Sequence, residues 1–263
     1  MRAGTVSPGV ALAALLALVP AAGAQSLADR VSAAPEGTVR VAFASKPDLC
    51  GDGVSYISRR DGWRRSWGRE PGADCPCEFG PARLTLRVSG GRVVDLAAGV
   101  GGSWKPVTGP VTDLGTVPVA EAGRYLLALA RASRSGDVGE DAVFAATLAD
   151  SITVWPGLLE IAREDGLPRD TRKSATFWLG RIAGDAVAAR LGELVEDEGV
   201  DVEIREHAIF ALSQRPADEG VPALIEVVRT NRNPRLVKKA LFWLGDTGDP
   251  RALALFEEIL TRR

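Results

Sequence analysis

The sequence predicts an α+β chain in two parts: an N-terminal β-rich module, then an all-α superhelix (a solenoid) of stacked helical hairpins. Three observations predict it. Apolar residues alternate in short runs between about residues 35 and 118, with glycine-rich breaks between them. From about residue 120 two residue patterns recur in step, with one period of 32 or 33. All three cysteines, Cys50, Cys75 and Cys77, lie in the first part. The expected boundaries are 1–24 for a leader, 25–118 for the β-rich module and 119–263 for the repeats.

The leader comes first. Arg2 supplies a positive start, residues 10–19 are an unbroken apolar run of ten, and Ala22-Gly23-Ala24 has the small-x-small form of a cleavage site. The mature chain is then expected to begin at Gln25, in the periplasm or outside the cell. The apolar run is too short to span a bilayer, so no membrane span is expected after cleavage. An oxidising compartment suits the cysteines. Cys50 paired with Cys75 or with Cys77 would close a loop of about 25 residues and add roughly 3 kcal/mol by loop entropy. A metal site on the same three residues lacks a fourth ligand.

Next come the strands. Thr38-Val39-Arg40-Val41-Ala42-Phe43-Ala44 places Val39, Val41 and Phe43 on one face. Leu84-Thr85-Leu86-Arg87-Val88 alternates likewise, and Gly90-Gly91 leads into a second extended run at Arg92-Val93-Val94-Asp95-Leu96. Two glycines accept the positive φ angles of a tight turn, so a hairpin is expected. Between the first strand and this hairpin lies a segment with five arginines and two tryptophans in residues 59–69. Arg60, Trp63, Arg64, Arg65 and Trp67 make it a candidate anion-binding loop. The alternative is a hairpin whose arginine stems lie across aromatic faces.

The repeats follow. Ala142, Ala175, Ala208 and Ala240 begin similar segments, spaced 33, 33 and 32. Glu160, Glu193, Glu226 and Glu258 recur with the same spacings. Each copy reads as two helices. In the second helix the apolar residues flank the glutamate at fixed offsets, as in Val221, Leu224, Val227 and Val228, and in Leu253, Phe256, Ile259 and Leu260. The glutamates fall outside that stripe and are candidate partner-facing residues. Asp185, Asp218 and Asp249 are placed to cap the second helices, and Gly180 and Gly245 to end the first ones in a left-handed cap. Phe177, Trp178, Phe242 and Trp243 lie opposite the alanines, among charged positions such as Lys173, Glu206, Lys238 and Lys239. Either neighbouring repeats cover them, or Trp178 and Trp243 belong to an exposed contact patch.

This pattern resembles bacterial HEAT-like repeats, of the type also found in phycobilisome-lyase proteins. Through Cys50-Gly51-Asp52-Gly53, Asp113-Leu114-Gly115-Thr116-Val117-Pro118 and Arg172-Lys173 leading into Phe177-Trp178-Leu179-Gly180, the whole chain resembles a group of exported bacterial HEAT-repeat proteins of unknown function. The resemblance implies an armadillo-like superhelix and protein binding. It implies no chemistry, because function resides in sites placed on a fold.

Composition narrows the function further. A formal net charge of -2 gives no overall attraction to nucleic acid or to anionic membranes. The one histidine, His207, excludes the paired His-Glu di-iron centre that some HEAT-like hydroxylases use. No Gly-x-Ser-x-Gly elbow, phosphate loop or zinc-helix motif is present, and no cofactor is implied. The expected function is a non-catalytic protein-interaction or assembly scaffold in the cell envelope. Two alternatives stand beside it: an enzyme-accessory, lyase-like protein holding a small molecule on the repeat surface, and a sensor binding an anion in the Arg/Trp loop. The partner and the oligomeric state stay open.

Overall fold

The computed structural model describes residues 25–60, 62, 64–66, 77–182 and 185–261. The leader, Trp63, Trp67 and Cys75 lie outside the described residues. The element order is a strand-rich region with two sheets followed by a run of helices.

A short helix, α1 (Leu27–Ser32), opens the described chain; the Ser26 side chain accepts from Asp29 N–H in a capping box. Strand β1 (Gly37–Phe43) then buries Val39, Val41 and Phe43 completely, as the alternation requires. Strands β6 (Ala82–Ser89) and β7 (Arg92–Val100) form the expected hairpin, with Gly90 at φ 58° and Gly91 at φ 68°. A β-carbon strains a backbone at positive φ, so glycine suits both positions. With β8 (Val111–Thr116) these strands form one sheet in the order β7-β6-β1-β8, and β8 runs parallel to β1. The second sheet is small and built from the segment between β1 and β6. Its strands are β2 (Leu49–Gly51), β3 (Tyr56–Arg59), β4 (Arg64–Ser66) and β5 (Glu78–Phe79), in the order β4-β3-β2-β5. The disulfide joins Cys50 of β2 to Cys77, just before β5.

The helices fall into two layers. One layer is α3 (Gly136–Thr147), α5 (Arg169–Gly180), α7 (Val202–Ser213) and α9 (Pro234–Thr247), each packed on the next. The other is α2 (Val119–Ala132), α4 (Trp155–Arg163), α6 (Asp185–Glu196), α8 (Ala217–Thr230) and α10 (Pro250–Thr261). The recurring alanines, Ala142, Ala175, Ala208 and Ala240, are all fully buried in the first layer. A methyl side chain lets successive helices approach closely, which explains that spacing.

Buried arginines repeat as well. Arg172 Nε donates to Ala162 C=O at 3.1 Å, and Arg205 Nε donates to Val195 C=O at 2.7 Å. Each satisfies a carbonyl at the end of the preceding helix, where no intrahelical donor is left. The same register in the last copy holds Lys238, which is exposed.

Helix ends differ from expectation. Asp249 does cap α10, accepting from Arg251 N–H at 2.8 Å. Asp218, in contrast, lies inside the first turn of α8, whose N-cap is Pro216. There its charge still faces the positive end of the helix dipole. Asp201 and Asn233 cap α7 and α9 instead. Neither expected glycine is a left-handed cap: α9 runs through Gly245 to Thr247 and ends at Gly248, φ 63°. Gly180 is helical, and close packing excludes a side chain there, since an added Cβ would lie 2.7 Å from Ala211 O.

The two parts share one core. It runs from Leu27 and the β1, β6 and β7 side chains through Leu126, Val143 and Phe144 into the repeats. At the seam Ser45 bridges to Ala149, and Lys46 N–H donates to Leu148 C=O at 2.9 Å.

Candidate functional site

Within the arginine-rich segment β3 and β4 pair antiparallel, and two of the described cations, Arg64 and Arg65, lie on aromatic faces. Arg64 sits over Tyr56 at 5.4 Å, and Arg65 sits over Phe144 of α3 at 4.3 Å. Arg65 also meets Asp141 at 3.5 Å and Glu140 at 3.9 Å. Arg60 is exposed at the end of β3. The described residues of this segment therefore pin β4 to the first repeat.

The recurring glutamates of the second layer bind the preceding helix. Arg131 of α2 pairs with Glu160 of α4 at 2.8 Å, Arg163 of α4 with Glu193 of α6 at 3.8 Å, and Arg229 of α8 with Glu258 of α10 at 3.0 Å. Glu226 breaks the series. The position in α6 that matches Arg163 and Arg229 is Glu196, which accepts from Asn231 instead. The spacing signal thus records a ladder of surface ion pairs between successive helices, each of modest energy.

The aromatics of the first layer form a second series. Trp178 is 7% exposed and packs on Phe144 at 5.1 Å and on Phe177 at 5.2 Å, so it belongs to the packing between repeats rather than to a surface patch. Phe177 stacks on Phe210 at 6.3 Å, Phe210 meets Trp243 at 5.2 Å, and Trp243 meets Phe242 at 5.0 Å. Phe177, Phe210 and Trp243 are half-buried, and Phe242 is 64% exposed. The Trp243 indole N–H has no hydrogen-bond partner among the described residues.

These rings line a groove across α5, α7 and α9. One cavity, of about 260 Å³, is lined by Arg65, Glu140, Asp170, Lys173, Ser174, Phe177, Trp178 and His207; a second, of about 410 Å³, by Lys173, Glu203, Glu206, His207, Phe210, Arg235, Lys239 and Trp243. Lys173 and His207 belong to both, so the two adjoin. Ion pairs brace the helices: Lys173 to Glu203 at 3.4 Å, and Arg235 to Glu206 at 2.8 Å. Lys239 has no ion pair among the described residues. Burial pushes the His207 pKa down, and the nearby Lys173 and Lys239 add to the effect. The same packing sets the His207 ring against Phe210, 5.5 Å away, where the charged form is disfavoured.

The sequence groups Phe177, Trp178, Phe242 and Trp243 with Lys173, Glu206, Lys238 and Lys239 and leaves open what covers them; of these, Trp178 is buried between repeats and Lys238 and Phe242 are exposed and line neither cavity. Arg235 is a member of the face that the sequence pattern did not single out. Phe210 falls on it by the 33-residue offset from Phe177.

Residues 198–263, the span of α7 to α10, match the family model for HEAT repeats. The chain therefore carries HEAT-like repeats in its helical part. A comparison with curated proteins found no match.

Proposed function

We propose that this is a non-catalytic, exported binding scaffold whose helical hairpins stack as a solenoid and whose groove across α5, α7 and α9 receives an extended segment of a protein partner. One observation carries the reading: two adjoining cavities lined by the half-buried rings of Phe177, Phe210 and Trp243 and by Lys239, which has no ion pair among the described residues. Aromatic rings supply large contact area at little entropic cost, and they dominate the energetics of interfaces. HEAT repeats commonly mediate protein interactions, and stacked repeats present extended surfaces of this kind. The partner segment that fits carries apolar side chains over Phe210 and Trp243 and a carboxylate for Lys239.

Export rests on the leader-like start and on the Cys50–Cys77 disulfide, which suits an oxidising compartment. Among the described residues no helix is long and apolar enough to cross a membrane. The test is affinity capture from native envelope extract with the wild-type chain beside a Phe210→Ala, Lys239→Glu double variant. A defined protein retained by the wild type and lost by the variant supports the proposal. Equal retention by both refutes the groove as the docking site.

A further inference from the structure

Contact positions that are filled on earlier helices of the first layer stand open on the outer face of α9. Phe144, Phe210 and Phe242 each lie two residues after a recurring alanine. Trp178 of α5 covers Phe144 at 5.1 Å, and Trp243 of α9 covers Phe210 at 5.2 Å. Phe242 is 64% exposed, and among the described residues no ring of another helix meets it. Gly180 and Gly245 each lie five residues after such an alanine. Ala211 of α7 packs on Gly180, whereas nothing lies within 4 Å of a Cβ placed on Gly245. We propose that α9 packs antiparallel on α9 of a second copy of this chain, about a two-fold axis at Phe242, so that this end of the helical layers forms a symmetric dimer.

Charge identifies the occupant. Lys238 and Asp246 lie four residues before and four residues after Phe242, which puts all three on one stripe of the helix. Both charges are exposed, and neither has an ion pair among the described residues. They stand about 12 Å apart along the helix axis, too far to pair with each other. An antiparallel copy centred on Phe242 sets each Lys238 opposite the other chain's Asp246, twice by symmetry, with the two phenyl rings meeting between the pairs. A parallel copy would set Lys238 on Lys238 and Asp246 on Asp246, so charge selects the antiparallel arrangement. Gly245 lies on the same stripe, where the missing side chain lets the facing helix approach. Leu253 and Leu260 of α10, 55% and 79% exposed, add apolar surface at this end.

The opposite end of the first layer favours a closed dimer over a filament. There α3 packs on β7, and Arg65 of β4 lies over Phe144. The open face of α9 therefore finds its match in the same face of another copy, and the assembly closes at two chains. Dimerisation leaves the groove accessible. Phe210 lines the groove although Trp243 covers it, and Phe242 in the same repeat position keeps a groove-side edge in the dimer.

The experiment is sedimentation equilibrium of the full chain over a concentration series, at low and at high salt. One helix pair with its flanks makes a small interface, so a reversible dimer with a roughly micromolar Kd is expected, weaker at high salt. Lys238→Glu and Asp246→Lys each turn two attractive pairs into two repulsive ones, and each is expected to weaken the dimer about 10-fold. Combining Lys238→Glu with Asp246→Lys restores the pairs with their signs exchanged and is expected to bring the Kd back near the wild-type value. Lys105→Glu, on an exposed loop, is expected to leave the Kd unchanged. The three side chains are exposed, so the variants keep the fold, and their thermal unfolding checks this. A monomer at every concentration, a dimer indifferent to either charge reversal, or single losses that the double variant does not rescue would overturn the proposal.

Discussion

The guanidinium carbon of Arg65 lies 4.3 Å from the ring centroid of Phe144, a contact that helps tie β4 to α3. The ion pair with Asp141 at 3.5 Å holds the same arginine from a second side. A cation over a partly desolvated ring contributes about 1 kcal/mol. Arg65→Ala is expected to lower stability by about that amount and to speed amide exchange in the hairpin, while exchange in α7 to α10 stays unchanged. Hydrogen exchange followed by mass spectrometry checks it; uniform acceleration throughout the chain would contradict local pinning.

Asp141 has a pH signature. Burial raises its pKa to about 6; Arg65 opposes the shift, while Glu140, Asp95 and Asp137 reinforce it. The ion pair and the raised value pull in opposite directions, and burial outweighs the pair. The folded chain holds this proton more tightly than the unfolded chain does. The contribution to stability is therefore fully present below the unfolded value of 3.8 and is lost as pH rises through about 6. Asp141→Asn removes that dependence. The difference in Tm between variant and wild type is expected to shift in the variant's favour from about pH 4 to about pH 7, and a constant difference would refute the assignment.

Two glycines that the sequence makes equivalent are separated by packing. An alanine at 180 would bring its Cβ to 2.7 Å from Ala211 O and 2.9 Å from Ala211 Cα, on a backbone that has no room to move. Gly180→Ala is expected to destabilise by about 1–3 kcal/mol. At Gly245 nothing lies within 4 Å, and the residue is inside a helix. Gly245→Ala is expected to stabilise by about 0.5–1 kcal/mol. Opposite Tm shifts confirm the contrast, and equal shifts would refute it.

The glutamate series distinguishes a structural ladder from a docking surface. Glu160→Gln and Glu258→Gln are each expected to cost less than about 1 kcal/mol, and less at high salt. Glu226→Gln is expected to be neutral, because it has no ion pair among the described residues. Denaturant titration at two salt concentrations checks this. A loss at Glu226 equal to the others would contradict the ladder.

The periodic part of the fold was legible because repetition samples the same constraint several times. Ala142 and Ala240 share one packing problem, and they announce it together. Strand β1 was legible because Val39, Val41 and Phe43 serve one buried face. What period alone does not show is which partner satisfies a recurring residue. The glutamates looked free because their arginines, Arg131, Arg163 and Arg229, belong to the preceding helix. Leu253 and Leu260 looked like core residues by analogy with Val221 and Val228. They are 55% and 79% exposed, because no described helix follows α10 to cover them. The groove needed three helices in register before Lys173, His207 and Trp243 came together.

Docking in the groove is tested most directly by site-specific photo-crosslinking in native extract, with the probe at position 242, exposed beside Trp243, and at position 190 on the opposite layer. Groove docking predicts one discrete crosslinked protein, distinct from the chain itself, from position 242 and none from position 190. Equal crosslinking from both positions, or a partner captured at 190 alone, would contradict it.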